Sequence, residues 1–181
     1  MVRYIAFLRA INVGGHNVKM DQLRSLFESM AFKNVETFIA SGNVIFNTNS
    51  AEINELQLKI ERQLYNVLGY EVSTFIRTDK QIAEIAEYQP FSEKKMKQAM
   101  AFNVGFLKEP LSKEQIALVK ELETDNDDFH VNGSELFWIC KTRQSDSVID
   151  AKKLERAIAM PITLRTIKTV YRLTAKYPTE K

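Results

Sequence analysis

Residues 4–17 read YIAFLRAINVGGHN, and this stretch decides how the start of the chain folds. The apolar run Tyr4–Leu8 predicts a buried strand, and the spacing of apolar residues between Leu23 and Met30 predicts a helix after it. The strand therefore enters a loop with two adjacent glycines, which lack a Cβ and let backbone amides approach a ligand. Loops that open onto a helix N-terminus are suited to holding an anion. The stretch indicates a binding site, but it does not identify a reaction.

The order of predicted elements repeats in the two halves of the chain. The first half has strands near residues 2–9, 35–40, 43–48 and 71–77 and helices near 20–32, 51–68 and 79–88. The second half has strands near 101–107, 129–131, 136–140 and from Ile162, and helices near 112–122, 150–159 and up to Ala175. Asn49 or Ser50 is the expected cap of the long helix, and Gly69 is its expected stop.

Short sequence matches accompany this repeated order. They pair Ala6-Phe7-Leu8 with Gly105-Phe106-Leu107, Ser41-Gly42-Asn43 with Asn132-Gly133-Ser134, Ile60-Glu61-Arg62 with Leu154-Glu155-Arg156, and Phe75-Ile76-Arg77-Thr78 with Thr166-Ile167-Lys168-Thr169. We infer an α+β fold made by tandem duplication of a ferredoxin-like βαββαβ unit, each with an antiparallel sheet and helices on one face. The predicted domains are residues 1–90 and 91–181, packed as one compact chain. The second sheet faces must also be buried, either sheet on sheet or across a homodimer.

The predicted fold brings two polar loops to one sheet edge. The loop after the first strand, Arg9–Lys19, should lie beside the turn between the second and third strands. The candidate ligand-binding residues are Arg9, Asn12, Gly14, Gly15, Lys19, Ser41, Gly42 and Asn43, with Arg165 assisting. The alternative is a tight connection whose asparagines satisfy their own backbone. Neither a P-loop nor a dinucleotide fingerprint is present, because the lysine-serine ending and the third glycine are missing.

The same residues carry a resemblance to a known family. Residues 4–15, YIAFLRAINVGG, and residues 37–46, TFIASGNVIF, resemble the signature segments of domain of unknown function 1697, an uncharacterised and mainly bacterial family. The resemblance covers nearly the whole chain and implies the fold and a cytoplasmic setting, but no activity. Ala10 stands where the family usually has glycine, which suggests that this position does not require a positive φ. Residues 165–169, RTIKT, also depart from the family pattern, which is closer to RNWNT.

Composition and residue spacing argue against a reactive cysteine, a membrane-spanning segment and a metal site. A chain of 181 residues with 45% hydrophobic residues is typical of a globular protein. Its net charge of +2 is too small to indicate nucleic-acid binding by itself, so any electropositive site must come from local clustering of basic residues. The one cysteine, Cys140, lies in an apolar run and is expected to be an inert core residue. No segment is long enough to span a membrane, so the cytoplasm is the expected location. His16 and His130 lack partners at metal-ligand spacing, and the acidic run Asp125–Asp128 is expected to be a solvated turn, so no metal or cofactor is predicted.

The last helix carries a basic stripe. Lys168, Arg172 and Lys176 recur every four residues and share one face, which could contact phosphates or simply be solvated. RNA-recognition domains have the same element order, but their aromatic-rich third strand is missing here. The favoured function is a module that binds a phosphorylated metabolite, a nucleotide or a nucleic-acid backbone at the Arg9–Lys19 loop and the Ser41–Asn43 turn. A structural or interaction protein that docks a partner or forms a homodimer is the alternative, and a small-molecule enzyme is the third.

Overall fold

The computed structural model describes residues 1–39, 42–50 and 52–179. The chain divides into two compact units, Met1–Ile82 and Ala83–Lys181. Each unit contains a four-stranded antiparallel sheet with helices, so the α+β duplication predicted from the sequence is confirmed. In the described part of the chain, no helix combines the length and the apolar character that a membrane crossing requires.

The first unit has the order βαββαβ. Its elements are β1 (Val2–Leu8), α1 (Met20–Ser29), β2 (Lys33–Phe38), β3 (Asn43–Thr48), α2 (Ile53–Leu68), β4 (Thr74–Thr78) and the start of α3 (Asp79–Glu87). The strands lie in the order β2-β3-β1-β4, which is the ferredoxin-like arrangement. The β1 residues Tyr4, Ala6 and Leu8 face a core formed with apolar residues of α1 and α2. The alternate residues Ile5 and Phe7 are buried as well, so both faces of the sheet are removed from water.

The second unit repeats this order after a short helix. Its elements are α4 (Glu93–Gln98), β5 (Ala101–Phe106), α5 (Lys113–Glu121), β6 (Asp127–Asn132), β7 (Glu135–Cys140), a 3-10 helix (Gln144–Asp146), α6 (Ala151–Ile158), β8 (Thr163–Thr166) and α7 (Ile167–Lys176). The strand order β6-β7-β5-β8 reproduces that of the first unit. Asn132 of β6 pairs with Glu135 of β7, so Gly133 and Ser134 form the two-residue loop of this hairpin.

The backbone contacts show which residues of the two units are equivalent. Leu8 N donates to Gly42 O at 2.8 Å, and Leu107 N donates to Ser134 O at 2.9 Å. Gly42 therefore corresponds to Ser134, one residue away from the predicted match with Gly133. The predicted match of Ile60-Glu61-Arg62 with Leu154-Glu155-Arg156 is correct. Glu61 Oε1 accepts from Thr74 N at 2.8 Å, and Glu155 Oε1 accepts from Ile162 N at 3.0 Å, in the same place of each unit.

One predicted match is wrong by three residues. Thr78 Oγ1 accepts from Gln81 N and caps α3, while Thr166 Oγ1 accepts from Thr169 N and caps α7. Thr78 therefore corresponds to Thr166, and Arg77 corresponds to Arg165 rather than to Lys168. The predicted match pairs the end of strand β4 with the start of helix α7. Short sequence matches carry no information about hydrogen-bond register, so they can align two repeated units incorrectly.

Two local predictions also need correction, and one is confirmed. The N-cap of α2 is Glu52, without a side-chain hydrogen bond, so neither Asn49 nor Ser50 caps this helix. Gly69 ends it in the left-handed conformation, as predicted. Helix α4 lies just after the predicted boundary between residues 90 and 91, where the sequence analysis predicts no helix, and Ser92 caps it. Its six residues are too few for a periodic apolar pattern to reveal it.

Candidate functional site

The loop from Arg9 to Lys19 begins beside the turn that precedes β3. Leu8 N donates to Gly42 O at 2.8 Å, and Arg9 N donates to Ser73 O at 2.9 Å. A Cβ placed on Gly42 would lie 2.8 Å from Cγ2 of Ile11, and Gly42 has a φ of +73°. The structure thus brings the start of the loop and Gly42 together, and only glycine fits at this contact. Ser41 lies outside the described residues.

Three contacts fix the shape of the loop. The Oδ1 atom of Asn12 accepts from Val18 N at 2.8 Å, which closes the loop across its base. The hydroxyl of Tyr70 donates to Ile11 O at 2.8 Å. The ring of His16 stacks on the ring of Tyr70, with centroids 3.7 Å apart and an interplanar angle of 20°. Asn12 therefore holds the loop, as in the alternative interpretation of a tight connection. The role of Tyr70 is not visible in the sequence, because its partners lie more than fifty residues away.

Ala10 corrects one expectation drawn from the family resemblance. Its φ is +55°, so this position does adopt the left-handed conformation although it is not glycine. A Cβ in this conformation costs about 1–2 kcal/mol. Hydrogen bonds of the neighbouring residues Leu8, Arg9 and Ile11 hold the backbone on both sides of Ala10.

Gly14 and Gly15 form the exposed tip of the loop. Their φ values are +72° and +89°, and no atom lies within 4 Å of where a Cβ would be on either residue. Glycine is therefore favoured here by conformation and not by crowding. Among the residues that the structure describes, none accepts a hydrogen bond from the backbone N–H of Gly14 or of Gly15. Successive N–H groups in such a turn can form a concave anion site.

The cationic side chains of the loop lie at its two ends. Arg9 is partly buried where the loop leaves β1, and Lys19 is exposed as the N-cap of α1. Asp21, the acidic residue in the first turn of α1, pairs with Arg24 at 3.0 Å. Asn43 is completely buried, and its amide donates to Phe38 O at 2.9 Å, so it stabilises the turn before β3.

Arg165 belongs to the second unit and has an equivalent in the first. Nη1 of Arg165 donates to Thr163 Oγ1 at 2.9 Å and to Leu164 O at 2.8 Å, and burial lowers its pKa to about 10. Nη1 of Arg77 likewise donates to the preceding backbone carbonyl, Ile76 O, at 2.8 Å. Arg77 and Arg165 therefore make the same backbone contact at equivalent positions of the two units.

The basic stripe of α7 is exposed. Lys168, Arg172 and Lys176 lie on the solvent side of the helix, opposite the buried residues Ile167, Val170 and Leu173. The predicted division of the helix into a basic and an apolar face is therefore correct. Its use as a phosphate-binding surface stays a prediction.

Asp127 is not in a solvated turn, contrary to expectation. It begins β6 and is only 1% exposed. Its carboxylate accepts from Trp138 Nε1 at 2.9 Å, Ser147 Oγ at 2.8 Å, Thr124 Oγ1 at 2.8 Å and Cys140 Sγ at 3.3 Å. Burial alone would raise the pKa of Asp127, but these hydrogen bonds outweigh it and lower the pKa. The buried acid stabilises the hairpin and is not a ligand site.

The remaining candidates serve the fold. Cys140 is fully buried, and burial raises its pKa to about 12, as befits the inert residue predicted. His130 is partly buried, and its Nε2 lies 2.9 Å from the hydroxyl of Tyr88. No group of three or more acidic, histidine or cysteine side chains in residues 1–39, 42–50 and 52–179 could hold a metal ion.

Comparisons with known proteins identify relatives of unknown function. A family model described as "Protein of unknown function (DUF1697)" matches residues 1–137. None of the curated proteins matches the chain. The chain is similar in structure to a conserved bacterial protein, SP0830, from Streptococcus pneumoniae, with a TM-score of 0.72 and 22% sequence identity. The similarity covers 96% of this chain and 97% of the other and shows that the two share a fold.

Proposed function

The chain belongs to the DUF1697 family, whose function is unknown, and we propose from its own residues that it is a module that binds an anionic ligand at the loop from Arg9 to Lys19. The ligand class is a phosphorylated small molecule or nucleotide, whose phosphate would bind the N–H groups of Gly14 and Gly15. The same proposal places the protein in the cytoplasm, where such molecules are made and used.

The observation that carries the proposal is the exposed glycine pair in a loop of fixed shape. Both glycines have positive φ values, and their N–H groups have no acceptor among the described residues. A loop that is already ordered loses little conformational entropy when it binds a ligand. Anions are strongly bound by backbone N–H groups near a helix N-terminus, and α1 begins directly after Lys19.

Comparison with the second unit supports this interpretation. After the equivalent leucines, Leu8 and Leu107, the first unit needs residues 9–19 to reach α1, but the second needs only residues 108–112 to reach α5. The shorter connection contains no glycine. The duplicated fold can therefore close this connection without a glycine pair, which leaves Gly14 and Gly15 free for another purpose.

The proposal is tested by an NMR titration of the ¹⁵N-labelled protein with inorganic phosphate and with ribose 5-phosphate. We expect the amide signals of Gly14 and Gly15 to shift in a saturable manner. Lys19→Ala should weaken the binding, since it removes an exposed charge beside the loop, and Lys33→Ala should not. Lys33 is a matched control because it is also an exposed lysine, at the start of β2.

The outcome separates the proposal from its alternative. Shifts that are absent at Gly14 and Gly15 for both phosphates, in a protein that is folded, would refute the anion site. The loop would then be a connection only, and a protein that docks a partner or forms a homodimer would become the better hypothesis. Shifts that Lys33→Ala reduces as much as Lys19→Ala would indicate a general response to charge and would also contradict a specific site.

A further inference from the structure

We propose that the ligand of this loop is a nucleotide, with its base stacked on the exposed face of His16, an inference that rests on the proposed anion site at Gly14 and Gly15. The loop carries a second feature that an inorganic phosphate or a sugar phosphate would leave unused. That feature is the pair of rings formed by His16 and Tyr70.

The stacked pair leaves one face of the imidazole open. The two centroids lie 3.7 Å apart at 20°, so one face of His16 is covered by Tyr70. The residue is nevertheless exposed, whereas Tyr70 is partly buried. The outer face of His16 is therefore the accessible end of a two-ring stack. Bases stack on aromatic and histidine side chains in this manner, whatever their sequence.

Tyr70 holds the imidazole in place. Its hydroxyl donates to Ile11 O at 2.8 Å, and it follows directly after Gly69, which ends α2. The ring pair is thus tied to a helix end on one side and to the loop backbone on the other. A stacking surface that is fixed before binding costs less conformational entropy than a free side chain.

The two parts of the site are adjacent in the chain. His16 follows Gly15 directly, so the N–H groups proposed to hold a phosphate lie next to the ring proposed to hold a base. A nucleotide carries an anionic group and a flat aromatic base within one small molecule. It is the common ligand class that uses both features at once.

The second histidine shows how a purely structural histidine looks in this chain. His130 is partly buried, and its Nε2 lies 2.9 Å from the hydroxyl of Tyr88. The centroid of its ring lies 6.3 Å from that of Phe91 and 6.4 Å from that of Phe137. It is engaged on several sides by its own unit. The ring of His16 has a single ring neighbour among the described residues.

The test compares ligands with and without a base. Dissociation constants are measured by calorimetry for the four ribonucleoside 5′-monophosphates, ribose 5-phosphate, inorganic phosphate and adenosine. We expect at least one nucleotide to bind more tightly than ribose 5-phosphate. His16→Ala should weaken that nucleotide by about 5- to 150-fold, the effect of removing a stacking ring, and should affect ribose 5-phosphate far less.

Two further variants control for damage to the loop. His16→Phe preserves a ring that can stack and should retain most of the affinity for the nucleotide. Asn17→Ala removes the next exposed side chain of the loop and should change nothing. A loss of affinity in His16→Phe as large as in His16→Ala would overturn stacking as the cause.

Failure of this inference is distinguishable from failure of the anion site. If ribose 5-phosphate binds and all four nucleotides bind no better, the proposal of a nucleotide ligand is refuted, but the proposed anion site is not. If no phosphorylated compound binds, both are refuted. Adenosine that binds as tightly as AMP would contradict the anion site, and with it a ligand that is recognised through its phosphate.

Discussion

Asp127 carries a carboxylate that is only 1% exposed and accepts four side-chain hydrogen bonds, so its removal makes a sharp test of the structure. Asp127→Ala leaves the indole N–H of Trp138 without an acceptor in a fully buried position. It also removes the partner of Ser147, which is only partly buried, and the weaker partner Cys140. We expect the variant to unfold more easily by about 3–5 kcal/mol.

The magnitude follows from the burial of each donor. A hydrogen bond to a charged group contributes about 1.5–3 kcal/mol, and a buried donor left without a partner costs about 1–3 kcal/mol. Trp138 is fully buried, so the loss of its acceptor destabilises the folded state by the full amount, whereas the exposed hydroxyl of Thr124 can bond to water. Asp127→Asn keeps the shape and one acceptor oxygen, so its loss of stability should be smaller than that of the alanine variant.

Urea denaturation followed by tryptophan fluorescence measures this directly, because Trp138 is the one tryptophan of the chain. Asp125→Asn is the matched control, since it removes an exposed carboxylate from the same acidic run. A loss below about 1 kcal/mol for Asp127→Ala, well under the cost of one unpaired buried donor, would refute the reasoning.

The carboxylate also makes stability depend on pH. The hydrogen bonds lower the pKa of Asp127 below its ordinary value of 3.8, despite the opposing effect of burial. A lowered pKa in the folded state means that the unfolded chain binds the proton first as the pH falls. The stabilisation is therefore fully present well above pH 3.8 and is lost as the pH falls through the folded-state pKa. The difference in stability between the natural protein and Asp127→Asn should narrow over that range.

Three further predictions concern single residues. Gly42→Ala should destabilise the first unit by about 2–4 kcal/mol, because the added Cβ combines a positive φ with a contact of 2.8 Å to Ile11; an unchanged urea midpoint would contradict the turn geometry. Ala10→Gly relieves the left-handed strain but increases the conformational freedom of the unfolded chain, so the protein should be equally stable or more stable by about 1 kcal/mol. Ala86→Gly, within α3, is the control and should lower the stability of the protein. Burial, and secondarily the charge of Lys120, lowers the pKa of His130 below its ordinary value of 6.5. The unfolded chain therefore binds the proton more readily, and the stability of the protein should fall as the pH drops below 6.5. A urea midpoint that depends on pH equally in His130→Gln would show that another group is responsible.

The architecture could be predicted because hydrophobic periodicity and capping residues act locally. The capping box from Ser112 to Gln115 and the left-handed stop at Gly69 form as their sequences indicate. Sheet order also followed, since an element order of βαββαβ with short connections permits few topologies. The caps and helix stops depend on neighbours within a few residues, which a single sequence displays.

The errors arose where a distant contact decides the outcome. Asp127 looked solvated because the sequence around it is acidic, yet its partners Trp138 and Ser147 come from β7 and from the segment before α6. Ala10 looked unstrained because it is not glycine, although its φ is +55° in a segment whose backbone is held by contacts to distant residues. Tyr70 gave no signal at all, since its role depends on Ile11 in another part of the unit.

The duplication itself separates residues that serve the fold from those that do not. Glu61 and Glu155 make the same hydrogen bond in both units, as do Thr78 and Thr166 at their helix starts, so these residues are explained by the architecture alone. The loop from Arg9 to Lys19 has no such counterpart, because the second unit makes the same connection in fewer residues and without glycine. Selection for folding would preserve the shared contacts in either unit, but it gives no reason for an ordered glycine pair with open N–H groups in one of them. The proposed binding of an anionic ligand would supply that reason.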